Sequence, residues 1–207
     1  MKLGDYSGQI VVATHNAGKL REMRLLLQPY GKDCVSAGEL GLPEPEETGT
    51  TFEENALIKA RAAATEANLP ALADDSGLCV NALGGRPGVF TADWAERQKF
   101  EGEKGRDWYM AMGKVEGMLA AIGPDVDRTC WFNSTLALAW PNGEVAIYQG
   151  RVNGHLIWPP RGSKGFGYDP VFVPNGHLMT FGEIDWEEKK LVDHRADAFR
   201  KLVEAEF

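Results

Sequence analysis

Short apolar runs along this chain alternate with stretches in which apolar residues recur every three or four positions, the pattern of strands interleaved with helices. Gln9-Ile10-Val11-Val12-Ala13 predicts a strand over about 9–13, and the amphipathic stretch after it predicts a helix over about 18–29. A short extended piece around Cys34-Val35 and a Pro/Glu-rich loop over 38–50 come next. Thr51, with Glu54 at capping-box spacing, opens a long helix over about 52–67, whose body carries Ala56, Ala60 and Ala62 to Ala64. Pro70 starts a strand over 71–74 that runs into Asp74-Asp75-Ser76-Gly77, a stretch with the composition of a turn. A second turn region, Leu83-Gly84-Gly85-Arg86-Pro87-Gly88, leads through an irregular stretch to a helix over about 106–121. Residues 128–140 alternate as a long strand, and Pro141-Asn142-Gly143 turns it back into 144–152 as a hairpin. A Gly-rich loop over 159–169, a short strand over 171–173 and helical patterns around 186–191 and 195–205 complete the chain. No repeat, low-complexity tract or linker interrupts it. Residues 1–207 therefore read as a single mixed-sheet α/β domain with an antiparallel hairpin lobe.

Composition narrows the partners. The 207 residues are 43% hydrophobic, enough for a real core, and carry a net charge of −8. That charge argues against duplex nucleic acid, which calls for a basic face, but leaves room for a small nucleotide held by a local cluster of cations. Cys34, Cys79 and Cys130 are scattered, without the spacing of a disulfide framework or a zinc site. Met1-Lys2-Leu3-Gly4-Asp5 lacks the apolar core of a signal peptide, and no apolar stretch approaches the length that spans a bilayer. A cytoplasmic protein with no membrane partner is the expectation.

Three stretches could carry chemistry. Thr14-His15-Asn16-Ala17-Gly18-Lys19 joins the first strand to the first helix, and unpaired N–H groups at a helix start favour an anion. It resembles a P-loop without being one, because Ala13 and Leu20 stand where that motif needs Gly and a hydroxyl. Adjacent Asp74 and Asp75 at the exit of a buried strand repel each other, and a divalent cation would relieve that cost. Glu44, Glu46 and Glu47 could add a further metal carboxylate. Gly162-Ser163-Lys164-Gly165-Phe166-Gly167-Tyr168-Asp169 offers two aromatic rings on a glycine-loosened loop, suited either to stacking on a base or to anchoring the loop. No H-E-x-x-H or G-x-G-x-x-G pattern competes with these.

Taken together, Ala13 to Lys19 with Glu22, Glu46-Glu47-Thr48-Gly49, Phe52, Glu54-Asn55-Ala56 and Lys59-Ala60, Ala73 to Leu78, Leu83-Gly84-Gly85 with Pro87-Gly88, Gly165 to Pro170, Glu188-Lys189 and His194-Arg195 resemble the inosine triphosphatase family, the RdgB-type non-standard purine NTP pyrophosphatases. The pieces stand in the family's order and cover nearly the whole chain. The resemblance implies an elongated mixed β-sheet with flanking helices, two lobes around a central nucleotide-binding cleft, and usually a homodimer. It implies Mg²⁺-dependent hydrolysis of ITP, dITP or XTP to the monophosphate and pyrophosphate. By position it gives Thr14, His15, Asn16, Ala17, Gly18 and Lys19 to the triphosphate, Asp75 to proton abstraction and metal, and Ser76 to the substrate. Phe166, Gly167, Tyr168 and Asp169 would line the base pocket. Lys189, His194 and Arg195 would reach the base, a donor-rich set that suits a 6-oxo purine. Glu47 is the chosen second metal carboxylate, with Glu44 and Glu46 open as alternatives. His15 departs from the family's usual Gly, Asp193 from its usual Ser, and the segment over about 94–127, with Trp94 and Trp108, matches poorly. Two other readings compete: a Maf-like pyrophosphatase of different base specificity, and a non-catalytic nucleotide sensor.

Overall fold

A computed structural model of the chain describes residues 1–96 and 105–207. Part of the irregular stretch expected before the third helix, 97–104, lies outside the described residues. Six strands form one open mixed sheet in the order β2-β1-β3-β4-β5-β6: β1 (Ile10–Val12), β2 (Cys34–Ser36), β3 (Ala71–Val80), β4 (Thr129–Ala139), β5 (Val145–Leu156) and β6 (Phe172–Pro174). The helices are α1 (Ala17–Leu27), α2 (Phe52–Ala67), α3 (Trp108–Ile122), α4 (Trp186–Val192) and α5 (His194–Glu206). β1 pairs in parallel with β2 and with β3, whereas β5 and β6 are antiparallel, with Leu156 opposite Phe172. Among the described residues no helix is long and apolar enough to cross a membrane.

The chain divides into two compact units, each with its own core. The first comprises Met1–Asp75, Ser134–Gly150 and His194–Phe207. Its strands obey the period-two rule, so alternate residues serve opposite faces. Ile10, Val12, Leu72, Leu136 and Leu138 pack with Met23 and Leu27 of α1 and with Phe199 and Leu202 of α5. Val11, Ala13, Ala71, Ala73, Ala137 and Ala139 face the alanine stripe Ala56, Ala60, Ala63 and Ala64 of α2. The capping box expected at α2 is present: Thr51 Oγ1 accepts from Glu54 N–H at 3.2 Å, and Glu54 Oε2 accepts from Thr51 N–H at 3.1 Å. The second unit comprises Ser76–Asn133 and Arg151–Asp193. Its core gathers Leu78, Val80, Val115, Leu119, Phe132, Leu156, Tyr168, Phe172 and Phe181.

The structure corrects two expectations. Asp74-Asp75-Ser76-Gly77 is not a turn at a strand exit, because β3 runs through it as ten residues of strand ending at Val80. Turn composition loses here because each carboxylate finds a cation on its own face of the sheet, as described below. The hairpin strand β5 also continues to Leu156, past the expected end at 152, since its far half pairs with β6.

A bare backbone sets how closely α5 sits on β5. A Cβ on Gly150 would lie 2.0 Å from the His194 carbonyl oxygen and 2.3 Å from the Ala198 nitrogen. Neither is a flexible side-chain end, so Gly150→Ala must push the helix outward. The expected cost is about 2 kcal/mol, in the range of overpacked cores. Urea denaturation measures it, and an unchanged midpoint would mean that α5 yields freely.

Candidate active site

The turn between β1 and α1 is closed by its own side chains. Asn16 caps α1, its Oδ1 accepting from Gly18 N–H at 2.9 Å and Lys19 N–H at 3.2 Å, while Thr14 Oγ1 accepts from Asn16 N–H at 3.1 Å. Two of the N–H groups expected to meet an anion are therefore already bonded within the turn. What α1 offers instead is its dipole, a first turn with no acidic residue, and Lys19. His15 and Ala17 are exposed on this turn.

Asp74 and Asp75 part company because consecutive strand residues point to opposite faces. Asp74 takes the face of α1 and α5. Its carboxylate lies 2.9 Å from Lys19 Nζ and 3.2 Å from Arg195 Nη2, and accepts from Ser134 Oγ at 2.6 Å. Arg195 also pairs with Glu22 of α1, so one buried network joins β3, β4, α1 and α5. Burial alone would raise the Asp74 carboxyl, but Arg195 and Lys19 outweigh it and hold it well below the usual carboxylate range. Burial lowers the Lys19 ammonium, with Asp74 opposing. His194 and Arg195, expected at the base, are buried at the start of α5.

Asp75 takes the face of α2. Lys59 Nζ donates to its Oδ1 at 2.8 Å and lies 3.2 Å from Glu47 Oε1. Asp75 Oδ2 is buried and has no hydrogen-bond partner among the described residues. Burial raises the Asp75 carboxyl, with Lys59 and Lys19 opposing. Burial also works to lower the Lys59 ammonium, but Asp75 and Glu47 win and raise it. Asn55 fixes the acidic loop by accepting from Gly49 N–H at 2.8 Å, where a Cβ on Gly49 would lie 2.5 Å from that same oxygen. The loop thereby brings Glu47, of the candidates Glu44, Glu46 and Glu47, to Lys59. Sequence reasoning named Lys59 only as part of a motif. The signal for it was there: a lysine at helical spacing within the stripe Asn55, Ala56, Ala60, Ala63, where a cation is buried only if paired.

In the second unit the base-pocket candidates form a braced loop. Asp169 Oδ2 accepts from Phe166 N–H at 2.9 Å and from Lys189 Nζ at 2.8 Å. Gly165 (φ +72°) allows this, since a Cβ there would lie 2.0 Å from that oxygen. Lys189 Nζ also sits 5.4 Å from the Phe166 ring centroid and 5.3 Å from that of Phe181. Phe166 and Ser76 are half-buried, whereas Tyr168 is 1% exposed, with its ring edge-on to Trp108 at 5.8 Å. Burial pushes the Tyr168 hydroxyl above its usual value, and that hydroxyl has no partner among the described residues. Trp108, from the segment that matched the family poorly, also packs at 3.8 Å from the position of a Cβ on Gly167 (φ +69°).

Asp75 thus has one carboxylate oxygen held by an ammonium and the other without a partner, on a mixed sheet whose first helix starts in a capped, cation-bearing turn, an arrangement that could receive an anionic substrate. Among the described residues no three Asp, Glu, His or Cys side chains gather as a metal cage. The oxygen donors that could hold a divalent cation here are the Asp75 and Glu47 carboxylates. The Ham1 family model matches residues 10–205, and the chain belongs to that family. It is 54% identical over 206 residues to the dITP/XTP pyrophosphatase of Rhizobium meliloti, covering 94% of each chain. It is 54% identical over 200 residues to the protein of the same name from Caulobacter vibrioides, covering 96% of this chain and 98% of that one. Among solved structures, a HAM1 protein from Coxiella burnetii superposes with a TM-score of 0.83 at 39% identity, over 95% of this chain and 96% of that one.

Two outcomes are expected from this geometry. A carboxyl depressed in the folded protein stabilises it above the unfolded value and loses that contribution as pH falls below it. Asp74, depressed from 3.8, therefore makes stability fall on acidification below about pH 4, while the raised Asp75 acts with the opposite sign. Asp74→Asn should cost about 3 kcal/mol at pH 7 and flatten the acid limb, as read by urea denaturation from pH 3 to 7. Parallel curves would assign the acid sensitivity to another group. Tyr168→Phe should leave stability unchanged or raise it by up to about 1 kcal/mol, since the hydroxyl it removes is buried without a partner. A clear loss in thermal melting would show that the hydroxyl is satisfied in the folded protein.

Proposed function

We propose that the chain hydrolyses non-standard purine nucleoside triphosphates, dITP, ITP and XTP, to the monophosphate and pyrophosphate, with Mg²⁺. The observation that carries the reading is Asp75: buried, oriented through Oδ1 by Lys59, with Oδ2 left for another partner. Relatives above 50% identity that are dITP/XTP pyrophosphatases by name support the substrate class. A carboxylate held through one oxygen, with the other left without a partner, is placed to accept a proton as a general base. A sensor would have no use for that arrangement.

In this reading a water oxygen attacks the α-phosphorus, and the bond from that phosphorus to the bridging oxygen of the β-phosphate breaks. Pyrophosphate leaves, and the water's proton passes to Asp75. Lys19 and the start of α1 hold phosphate oxygens, which requires the Lys19 ammonium to turn from Asp74 toward the ligand. Asp74 keeps Arg195 and Ser134 when that happens, so the sheet does not depend on Lys19 alone. Mg²⁺, on Asp75 and Glu47, would supply positive charge to the phosphate oxygens and to the departing pyrophosphate. Phe166, half-buried on a loop braced by Asp169, is the ring of this loop suited to a base, while Tyr168 anchors the loop in the core. Homodimerisation belongs to the same reading and rests on the resemblance, whereas a cytoplasmic setting rests on the scattered, free cysteines.

With Mg²⁺ present, dITP and XTP should each yield pyrophosphate and monophosphate one to one, with kcat/KM roughly a hundredfold or more above that for dATP and dGTP. Asp75→Asn should stay folded and lose activity by about 10²–10⁴-fold. Comparable rates on all four nucleotides would end the substrate assignment, and an Asp75→Asn protein within threefold of the parent would remove the base.

A further inference from the structure

Lys59 is placed as no packing requirement explains. The face of α2 turned to the sheet is otherwise built from small side chains, Ala56, Ala60, Ala63 and Ala64, yet one position carries an ammonium that must be desolvated to sit there. Its partners are Asp75 Oδ1 at 2.8 Å and Glu47 Oε1 at 3.2 Å, the same two carboxylates to which the proposed function gives the metal. An ammonium bridging them offsets half of the charge that would attract a divalent cation. Without nucleotide, a divalent cation on Asp75 Oδ2 and Glu47 would lie against the ammonium on Oδ1 and be repelled by it.

We propose that Lys59 is a resident counter-cation: in the nucleotide-free protein its ammonium occupies the Glu47 and Asp75 carboxylates and holds off divalent metal. Metal then enters together with the triphosphate, whose oxygens give the displaced ammonium a new anionic partner. The parts allow the exchange. A lysine carries its charge on a flexible four-carbon stem, and Glu47 lies on a loop with 36% of its side chain exposed. The loop is tethered at Gly49 to Asn55, so Glu47 stays near α2 when Lys59 lets go. The device would keep Asp75 in place between turnovers while leaving no divalent ion bound without substrate. The inference rests on the proposed function for the position of the metal.

Mn²⁺ binding to the nucleotide-free protein, measured by calorimetry or by the loss of free-ion EPR signal, tests it without turnover. Lys59→Met should bind Mn²⁺ about tenfold or more tightly than the parent, because the competing charge is gone. Lys59→Gln should show the same gain and serves if the methionine variant does not fold. Lys59→Arg retains the charge and should show none. Adding Asp75→Asn to Lys59→Met should abolish the gain. Parent-like or weaker binding in both neutral variants would overturn the proposal, as would a gain that survives Asp75→Asn. A protein that shows this pattern but fails to cleave dITP and XTP would refute the proposed function and leave the counter-cation standing.

Discussion

Two consecutive aspartates on a strand organise the buried charge of the first unit, because the pleat sends Asp74 and Asp75 to opposite faces of the sheet. A pair that would repel across a turn is separated by the backbone, and each carboxylate meets its own lysine, Lys19 for Asp74 and Lys59 for Asp75. The two environments then drive the carboxyls apart. Arg195, Lys19 and Ser134 hold Asp74 ionised, whereas burial, only partly countered by Lys59, raises the proton affinity of Asp75. One residue becomes a structural anion and its neighbour a candidate base. Pairs of titratable groups pushed in opposite directions are how acid and base roles are assigned in enzymes generally.

Burying this much charge is costly, and the unit offsets the cost by setting each buried carboxylate against cations. Arg195 ties α5 to Asp74 of β3 and Glu22 of α1, which fixes the register of three elements around one guanidinium. Removing one member of such a network costs more than the network adds over an apolar replacement. Position and specificity, more than net stability, are therefore what it supplies. Gly150 and the alanine face of α2 complete the arrangement by letting backbones approach closely enough for short side chains to meet.

The second unit solves a different problem with similar means. A loop containing Gly162, Gly165 and Gly167 is held by one carboxylate, Asp169, which takes both a backbone N–H and the Lys189 ammonium. The glycines supply the left-handed conformations and the close approach, and Tyr168 pins the loop into an aromatic core with Trp108 beside it. Of the two aromatic residues the loop carries, the structure commits one to the interior and leaves the other half-exposed.

Much of this protein was legible in its sequence. Helix limits followed from caps and periodicity, most plainly at Thr51 and Glu54, because those signals are local and act through the nearest backbone. The alternation of strands and helices and the hairpin at Pro141-Asn142-Gly143 were readable for the same reason, and five short motifs in order sufficed for the family. What the sequence could not decide was which face each polar group would occupy and what it would meet there. Asp-Asp-Ser-Gly has the composition of a turn, and only strand pairing with neighbours distant in sequence makes it extended. Lys59 is an ordinary lysine until α2 lies against β3, and Arg195 an ordinary basic residue until α5 docks on β5. The partners of a buried charge come from 12 to 173 positions away, so its environment, and with it its chemistry, exists only once the chain has folded.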